Sequence, residues 1–383
     1  MNILLVASPV VSLRRPFKGG TESFITRLAN KLISLGHSVD VLALEADEID
    51  SFQTIFLDES PFSLKDAIHS EEWGQKMFKA MQFALMDLER YDLIHFNSYL
   101  PILYDIASLR DIPTVVTLHT PLDDRFGLLH SLHSKRSPKT RYVAVSERLK
   151  LDWEQHIASS IAVIANGIDH SWRLPESGRI RKGLVWVGRI CEEKNPLDAI
   201  ELATRTNESL VLLGPADDRD YFERVVKPKL EGNISYGGHV GCAELQQHLN
   251  SAKCFIASAR WQEPFGLSIL ESLSAGTTVV GYSSAVPPEL RHKECVVLAK
   301  EQSVSSLHEA YNTIAQRWSA DERIFDKATA HAENFSLQDT AQSYIQVYED
   351  TIRANLNEQH LDHTNILRPP SWQRPQAKVP APR

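Results

Sequence analysis

The chain has 383 residues, of which 43% are hydrophobic and 23% are charged, and its formal net charge at pH 7 is -8. This length accommodates two domains of about 150–200 residues, each with a sizeable core, and the negative total gives no indication of a nucleic-acid partner. The four cysteines form no C-x-x-C pair, which favours a reduced, intracellular protein.

The N-terminus opens with a short apolar run. No basic region precedes the run in MNILLVAS, so we interpret it as a first buried strand and not as a signal peptide. No apolar run approaches the ~20 residues that span a bilayer. We therefore expect a cytoplasmic protein, and peripheral attachment at the inner face of the membrane stays open.

Short apolar runs alternate with helical patterns through residues 1–170. The segment GTESFITRLANKLISLGH predicts an amphipathic helix with one apolar face, made of Phe24, Leu28, Leu32 and Leu35. Further helices are predicted near 74–90 and 99–109. The predicted strands are NILLVAS, SVDVLAL, YDLIHF, PTVVTLH, RYVAVS and IAVIANG. Apolar strands separated by helices indicate an α/β domain with a parallel sheet covered on both faces.

A polar segment without periodicity, residues 171–182, separates this series from a second one and predicts a linker. The second domain spans 183–335, with strands GLVWVGR, SLVLLG, NISYGG, CFIAS and TTVVGY. Its predicted helices lie near 196–204, 218–229, 243–250, 304–317 and 321–333. A last helix covers 336–356, and the Pro-rich, basic tail 357–383 is expected to be disordered.

Two glutamates stand eight positions apart in the stretch WQEPFGLSILESLSAG. Glu263 lies in the loop after the strand CFIAS, and Glu271 lies in the helix that begins near Leu267. Gly266 permits close backbone approach, and the N–H groups of Leu267 and Ser268 form an anion site assisted by the helix dipole. Carboxylates beside an anion site suit the hydroxyl groups of a nucleotide sugar. Taken alone, an ordinary acidic helix start explains the pair about equally well.

Two cations follow the first strand of the second domain, in VGRICEEKNP. Arg189 comes at the carboxyl end of the strand, and Lys194 comes five residues later at the start of a helix. An arginine fork and a lysine point charge in this position suit a diphosphate. A solvated basic pair beside Glu192 and Glu193 is the alternative.

The first domain offers two weaker signals. The loop RRPFKGGTES enters a helix at Gly19 and Gly20, where a ligand can approach the backbone, although a plain turn explains the pair as well. His119 ends the strand TVVTLH, where either a crevice residue or a capping residue fits. His95, at the end of DLIHF, is similar and weaker.

Other site types leave no pattern in the sequence. There is no G-x-G-x-x-G fingerprint, no phosphate loop of the G-x-x-x-x-G-K-[ST] type and no G-x-S-x-G elbow. HExxH, a Cys/His cluster and a convincing acidic metal-binding run are also missing. We therefore expect no metal ion and no other cofactor.

Together the motifs resemble the family 4 glycosyltransferases, retaining enzymes of GT-B architecture with two facing Rossmann-like domains. The resemblance spans roughly residues 1–355. It rests on the Gly19-Gly20 loop with RLANKLISLGHSVDVLAL, on DLIHF, VTLHTP, VAVSERLK, IANGID, GRICEEKNP and LVLLGP, and on EPFGLSILESLSAGTTVV, the family's E-x7-E signature.

The resemblance implies transfer of a hexose, with retention and without a metal ion, from a nucleoside diphosphate sugar. UDP- and GDP-sugars are the expected donors, and the acceptor hydroxyl belongs to a glycan, a lipid-linked sugar or a small metabolite. It also implies that the helix 336–356 crosses back to the first domain.

The resemblance further implies roles for individual residues. Glu263 holds hydroxyls of the transferred sugar, and Glu271 holds those of the ribose. His119 lies next to the sugar and supports the charged transition state, while His239 and Val240 contact the base through backbone atoms. The groups implied for the diphosphate are two cations and a set of backbone positions, namely Arg189, Lys194, Gly19, Gly20, Gly266, Leu267 and Ser268.

Two other functions remain open from the sequence: a nucleotide-sugar epimerase on the same scaffold, and a non-catalytic nucleotide-sugar-binding scaffold protein.

One basic cluster could contact a membrane. Lys135, Arg136, Lys139 and Arg141 fit a weak contact with anionic lipid, although a solvated loop explains them more readily.

Overall fold

The computed structural model describes residues 1–7, 12–55, 83–84, 86–97, 101–122, 124–137, 139–169, 172 and 181–365. Most of the helix predicted near 74–90 lies outside the described residues, apart from a 3-10 turn at Leu88–Arg90. Most of the predicted linker and the chain after residue 365 also lie outside them. Within the described part, no helix is both long enough and apolar enough to cross a bilayer.

The N-terminal domain contains a parallel sheet of seven strands. These strands are β1 Asn2–Val6, β3 Ser38–Leu42, β5 Gln53–Ile55, β6 Leu93–Phe96, β7 Thr114–Leu118, β8 Arg141–Ala144 and β9 Ile161–Val163. Their spatial order is β5-β3-β1-β6-β7-β8-β9. Two short strands, β2 Ser12–Leu13 and β4 Glu45–Ala46, pair beside the sheet. The helices are α1 Gly20–Ser34, α2 Pro101–Leu109, α3 Asp124–Arg136 and α4 Glu147–Trp153.

The C-terminal domain repeats this architecture with six parallel strands. They are β10 Leu184–Val187, β11 Leu210–Leu213, β12 Ile234–Gly238, β13 Cys254–Ala257, β14 Thr278–Gly281 and β15 Val296–Leu298. Their order is β12-β11-β10-β13-β14-β15. The helices are α5 Pro196–Thr206, α6 Arg219–Tyr221, α7 Cys242–Ser251, α8 Leu267–Ser274, α9 Val304–Ala320, α10 Ile324–Ala332 and α11 Leu337–Asn365. A π-helix at Phe222–Val226 continues α6.

Both sheets confirm the predicted α/β class. Every residue of β6, β7, β13 and β14 is buried, because helices cover both faces of a parallel sheet. The order of the C-terminal strands is the doubly wound Rossmann order, and the first six strands of the N-terminal sheet follow it too. In such a sheet the order of connection reverses beside the first strand, which opens a crevice at the carboxyl ends of the strands.

The chain passes between the domains at one close crossing. Ile168 accepts a backbone hydrogen bond from Leu337 and donates one to Phe335, both at 3.0 Å. Gly167 is required here, because a Cβ atom on it would lie 2.3 Å from the carbonyl oxygen of Ser336. The outgoing and returning segments are therefore held side by side.

Helix α11 returns to the N-terminal domain, as predicted. Tyr344 and Tyr348 are fully buried against that domain. The Tyr348 hydroxyl lies 2.7 Å from Nδ1 of His95, and the Tyr344 hydroxyl lies 3.0 Å from Oγ1 of Thr117. His95 thus serves helix docking, and burial lowers its pKa well below the ordinary value.

The same helix is longer than the sequence analysis predicts. It ends at Asn365 and not near 356, so residues 357–365 are helical and not part of an irregular tail. No glycine or proline interrupts 337–365, and a polar stretch without a breaker can extend a helix that is already nucleated by packing.

A second contact joins the domains outside the cleft between them. The Arg148 guanidinium, on α4, donates to the carbonyl oxygens of Ser284 at 2.7 Å and Ser283 at 2.8 Å. The backbone N–H of Glu147 donates to a carboxylate oxygen of Glu289 at 2.6 Å. These bonds hold the start of α4 against the loop that follows β14.

Candidate active site

A cleft of about 610 Å³ lies between the two domains. The loop before α1 and the carboxyl end of β7 contribute its N-terminal wall, and the segments after β10, β12 and β13 contribute the other wall. All twelve site residues predicted from the sequence line this cleft: Gly19, Gly20, His119, Arg189, Lys194, His239, Val240, Glu263, Gly266, Leu267, Ser268 and Glu271.

The topology explains why the C-terminal residues meet. Strands β10 and β13 are neighbours in space although three helices separate them along the chain. The segment after β10 carries Arg189 and Lys194, and the segment after β13 carries Glu263. Because parallel strands end at the same edge of the sheet, both segments reach the crevice beside the strand where the order reverses.

Lys194 and Glu263 form an ion pair in the cleft. Nζ of Lys194 lies 2.6 Å from Oε2 of Glu263, and both side chains are mostly buried. The indole N–H of Trp261 donates to the same carboxylate oxygen at 2.9 Å, and the ammonium lies 4.4 Å from the centroid of that ring. A cation–π contact and a charge-assisted bond therefore fix the Lys194 head group.

Arg189 lines the cleft but lies at its more open side. Its guanidinium lies 2.6 Å from Glu193, in a pair whose members are both nearly half exposed. A surface pair of this kind contributes little to stability. The guanidinium can therefore exchange this partner for a bound anion at little cost.

The entry to helix α8 has the geometry of an anion site. Gly266 precedes the helix with a left-handed φ of 81°, a conformation that favours glycine. The N–H groups of Leu267 and Ser268 belong to the first turn, where no intrahelical acceptor is available. A Cβ atom on Gly20 would lie 3.4 Å from the side chain of Leu267, so the two domains touch at this point.

Glu271 pairs with a residue of the other domain. Nη2 of Arg27, on α1, lies 2.7 Å from Oε1 of Glu271, and the two side chains are 18% and 9% exposed. The Arg27 guanidinium also lies 5.4 Å from the ring centroid of Trp172. Burial raises the pKa of Glu271, and the positive charge of Arg27 opposes that rise.

At the far end of the cleft, His239 contacts the loop before α1. Its Nε2 lies 2.9 Å from the carbonyl oxygen of Phe17. Lys18 in the same loop pairs with Asp217 at 3.2 Å. The loop thus bridges to the C-terminal domain on the side of the cleft where β11 and β12 end.

His119 is buried at the carboxyl end of β7. Its Nε2 lies 2.9 Å from Oδ1 of Asn97, and its ring centroid is 5.0 Å from that of Phe24. Burial lowers the pKa of His119 to about 3, so the ring is neutral at physiological pH. His119 therefore lines the cleft and is also held in place by a hydrogen bond with Asn97.

Sequence reasoning missed four residues that line the cleft or support it: Arg27, Asn97, Trp172 and Trp261. Arg27 sits on α1 at the flank of the predicted apolar face, and a cation in that position needs a buried partner. A cation at the edge of an apolar helix face is therefore the sequence feature that could have indicated a role for Arg27. Trp261 stands two residues before Glu263, but nothing in the sequence indicates that its indole would reach the carboxylate.

The basic cluster also differs from expectation. Lys135 and Arg136 belong to the last turn of α3 and not to a loop. Lys139 pairs with Asp111 at 2.8 Å.

Among the described residues, no group of three or more His, Cys, Asp and Glu side chains is placed to hold a metal ion.

The fold and the cleft together define a protein of the GT-B class. HepE of Anabaena in complex with UDP-glucose has this fold, and it matches the chain with a TM-score of 0.75 at 18% identity, covering 91% of this chain and 100% of that chain. The family model described as Glycosyltransferase Family 4 matches residues 18–172, and the one described as Glycosyl transferases group 1 matches residues 181–317.

Two relatives agree with these matches. An uncharacterized glycosyltransferase of Methanocaldococcus jannaschii is 24% identical over 373 residues, covering 86% of this chain and 94% of the relative. Phosphatidyl-myo-inositol mannosyltransferase of Mycobacterium tuberculosis is 26% identical over 284 residues, covering 68% and 73%. The chain belongs to the family 4 glycosyltransferases, and it is accordingly a transferase that uses a nucleotide sugar.

The low pKa of His119 generates a prediction about stability. An unfolded histidine takes up a proton near pH 6.5, whereas folded His119 does so only near pH 3. This group therefore lowers stability as the pH falls from about 6.5 towards 3. In His119→Gln, the fall in the free energy of unfolding between pH 6.5 and 5 should be shallower by up to about 1.4 kcal/mol per pH unit. Urea unfolding at several pH values measures this, and parallel curves for both proteins would refute it.

Proposed function

We propose that this protein transfers a hexose from a nucleoside diphosphate sugar to a hydroxyl acceptor, with retention of configuration and without a metal ion. The observation that carries the proposal is the meeting of Lys194, Glu263 and the start of α8 in one interdomain cleft. A cation, a carboxylate and free helix N–H groups are the groups that a sugar diphosphate requires at adjacent points.

The leaving diphosphate is the first requirement of the reaction. Negative charge grows on it as the glycosidic bond breaks, and fixed positive groups stabilise that charge where it develops. Lys194 and Arg189 supply charge, and the amides of Gly266, Leu267 and Ser268 supply hydrogen bonds and the positive end of the α8 dipole. Gly19 and Gly20 let the backbone of the other domain approach the same group.

The transferred sugar is the second requirement. Glu263 accepts hydrogen bonds from sugar hydroxyls, and His119 lies beside the ring. A neutral His119 suits this place, because an imidazolium would repel the positive charge of an oxocarbenium-like transition state. The acceptor hydroxyl passes its proton to the departing phosphate, so no separate general base is required.

The nucleoside is the third requirement. Glu271 holds the ribose hydroxyls, and the backbone at His239 and Val240 contacts the base. UDP- and GDP-sugars are the proposed donors, and the UDP-glucose bound by HepE supports the first of these. The acceptor is a glycan, a lipid-linked sugar or a small metabolite, and the mannosyltransferase relative, whose name includes phosphatidyl-myo-inositol, favours a lipid-linked one.

Two alternative functions predict different products. An epimerase on this scaffold would isomerise the donor sugar in the absence of acceptor, which chromatography of the nucleotide sugar would reveal. A non-catalytic scaffold protein would bind a nucleotide sugar without turnover. A thermal-shift panel of UDP-, GDP- and ADP-sugars identifies the donor on which both tests are made.

Helix α3 supports a weak peripheral membrane contact as part of this proposal. Leu128, Leu129 and Leu132 are 62%, 44% and 43% exposed. Lys135 and Arg136 are exposed one turn further along the same helix. An apolar stripe next to two cations suits the surface of an anionic bilayer, where a lipid-linked acceptor would be found.

The proposed site predicts the effect of substitutions on turnover. Lys194→Ala, Arg189→Ala and Glu263→Ala should each lower donor turnover by on the order of a hundredfold or more, because each removes a contact to groups whose charge changes in the transition state. Arg205→Ala is the control, because it removes an exposed arginine of α5 that pairs with Glu201. Its donor turnover should equal that of wild type. Near-normal turnover by folded Lys194→Ala would discredit the diphosphate assignment.

Metal independence is tested in the same assay. Chelation with EDTA should leave the rate unchanged, because protein cations and helix N–H groups carry the charge on the diphosphate. A loss of activity in EDTA that Mg²⁺ or Mn²⁺ restores would show that a metal ion takes part.

Membrane contact is tested with vesicles. The protein should sediment with phosphatidylglycerol vesicles more than with phosphatidylcholine vesicles, and Leu128→Asp/Leu132→Asp should reduce the bound fraction severalfold. Leu151→Asp is the matched control, since Leu151 is 58% exposed on the separate helix α4. Equal sedimentation of all three proteins would count against a role for α3.

A further inference from the structure

The ion pair between Arg27 and Glu271 joins the two domains inside the cleft. Arg27 comes from the second turn of α1 and Glu271 from α8, and the bond of 2.7 Å is largely shielded from solvent. The two charges belong to different domains, so opening the cleft separates them and returns each one to water. The contact therefore forms when the domains are closed and is lost when they separate.

One terminal nitrogen of the Arg27 guanidinium makes no hydrogen bond with the described residues. Nη2 binds Glu271, whereas Nη1 is buried and has no hydrogen-bond partner among the described residues. Trp172 covers one face of the guanidinium, which restricts its orientation. A buried N–H group without a partner is costly, so this position favours a ligand that brings an acceptor oxygen.

We propose that Arg27 is a positioning residue for the nucleoside of the donor, so that the ribose site is complete only when the N-terminal domain closes on it. This inference rests on the proposed role of Glu271 in binding ribose hydroxyls. Arg27 orients the Glu271 carboxylate through Nη2, and Nη1 donates to a hydroxyl of the same ribose. Each domain then contributes one residue to the same sugar ring.

The charge of Arg27 has a second effect on the site. Burial raises the pKa of Glu271, and Arg27 counteracts that rise, which favours the ionised carboxylate as an acceptor for hydroxyl groups. Arg15, in the loop before α1, also lines the cleft, but it is paired with Asp47 at 2.8 Å and with Asp50 at 2.7 Å. Helices α7 and α10 also pack on α8. Their titratable groups are Cys242, Glu244, His248, Asp326, Lys327 and His331, of which Cys242 lines the cleft.

A residue that only holds the domains together should affect binding differently from Arg27. Arg148 is such a residue, because it binds backbone carbonyls outside the cleft. Its loss should weaken all nucleotides equally. Loss of Arg27 should instead act through the ribose hydroxyls and through the ionisation of Glu271.

The experiment measures the binding of UDP and 2′-deoxy-UDP, and of GDP and 2′-deoxy-GDP, by calorimetry between pH 6 and pH 8. For wild type, the ribonucleotide should bind more tightly than its deoxy counterpart, with little change across this range. Arg27→Ala should weaken the ribonucleotide roughly tenfold to a hundredfold and the deoxynucleotide less than threefold. Its remaining affinity should fall as the pH is lowered, because the pKa of Glu271 rises further without Arg27.

Two further variants keep the test decisive. Arg27→Lys retains the charge and loses the second N–H group, so it should lose most of the preference for ribose without acquiring the pH dependence, and it serves if Arg27→Ala does not fold. Arg148→Ala is the matched control and should affect ribo- and deoxynucleotides alike.

The outcomes separate this inference from the proposed function. If Glu271→Gln abolishes the ribose preference while Arg27→Ala retains it at every pH, the role of Arg27 is overturned and the donor site stands. If Glu271→Gln leaves the preference intact, or wild type binds none of the four nucleotides, the assignment of the ribose site fails and the inference fails with it.

Discussion

The carboxyl ends of the strands in both parallel sheets open onto the same interdomain cleft, and the position of every site residue depends on this arrangement. It is maintained at one crossing, where Gly167 lets Ile168 bond with Phe335 and Leu337. Helix α11 then packs its tyrosines into the N-terminal domain. Because Ile168 and the start of the returning helix are hydrogen-bonded to each other, the cleft can open and close while these two segments stay together.

Inside the cleft, charged side chains neutralise one another in pairs. Lys194 lies against Glu263 within the C-terminal domain, and Arg27 lies against Glu271 across the domain boundary. Buried charges require such pairing, since desolvation otherwise disfavours the charged forms. The first pair can form with the domains apart, whereas the second cannot. The two ends of the cleft therefore respond differently to closure.

Two histidines on neighbouring strands, His95 and His119, have low pKa values mainly because they are buried. His95 bonds to Tyr348 and Thr117 and anchors the returning helix. His119, on the neighbouring strand, bonds to Asn97 and reaches the cleft wall. Burial lowers the pKa of both. The two residues look alike in the sequence, at the ends of apolar strands, and only the packing of α11 separates their roles.

The sequence by itself determined the α/β class, the two-domain division and many of the helices and strands, because apolar periodicity and strand burial are local patterns. It did not indicate β5, β15, α3 or α4. It also indicated twelve of the residues that line the cleft, since ligands bind where parallel strands end. Tertiary structure alone decided that Arg27 faces Glu271, that Trp261 binds Glu263 and that the last helix reaches Asn365. These contacts join residues of separate elements or domains, or depend on packing that nucleates a polar helix, and no local pattern encodes them.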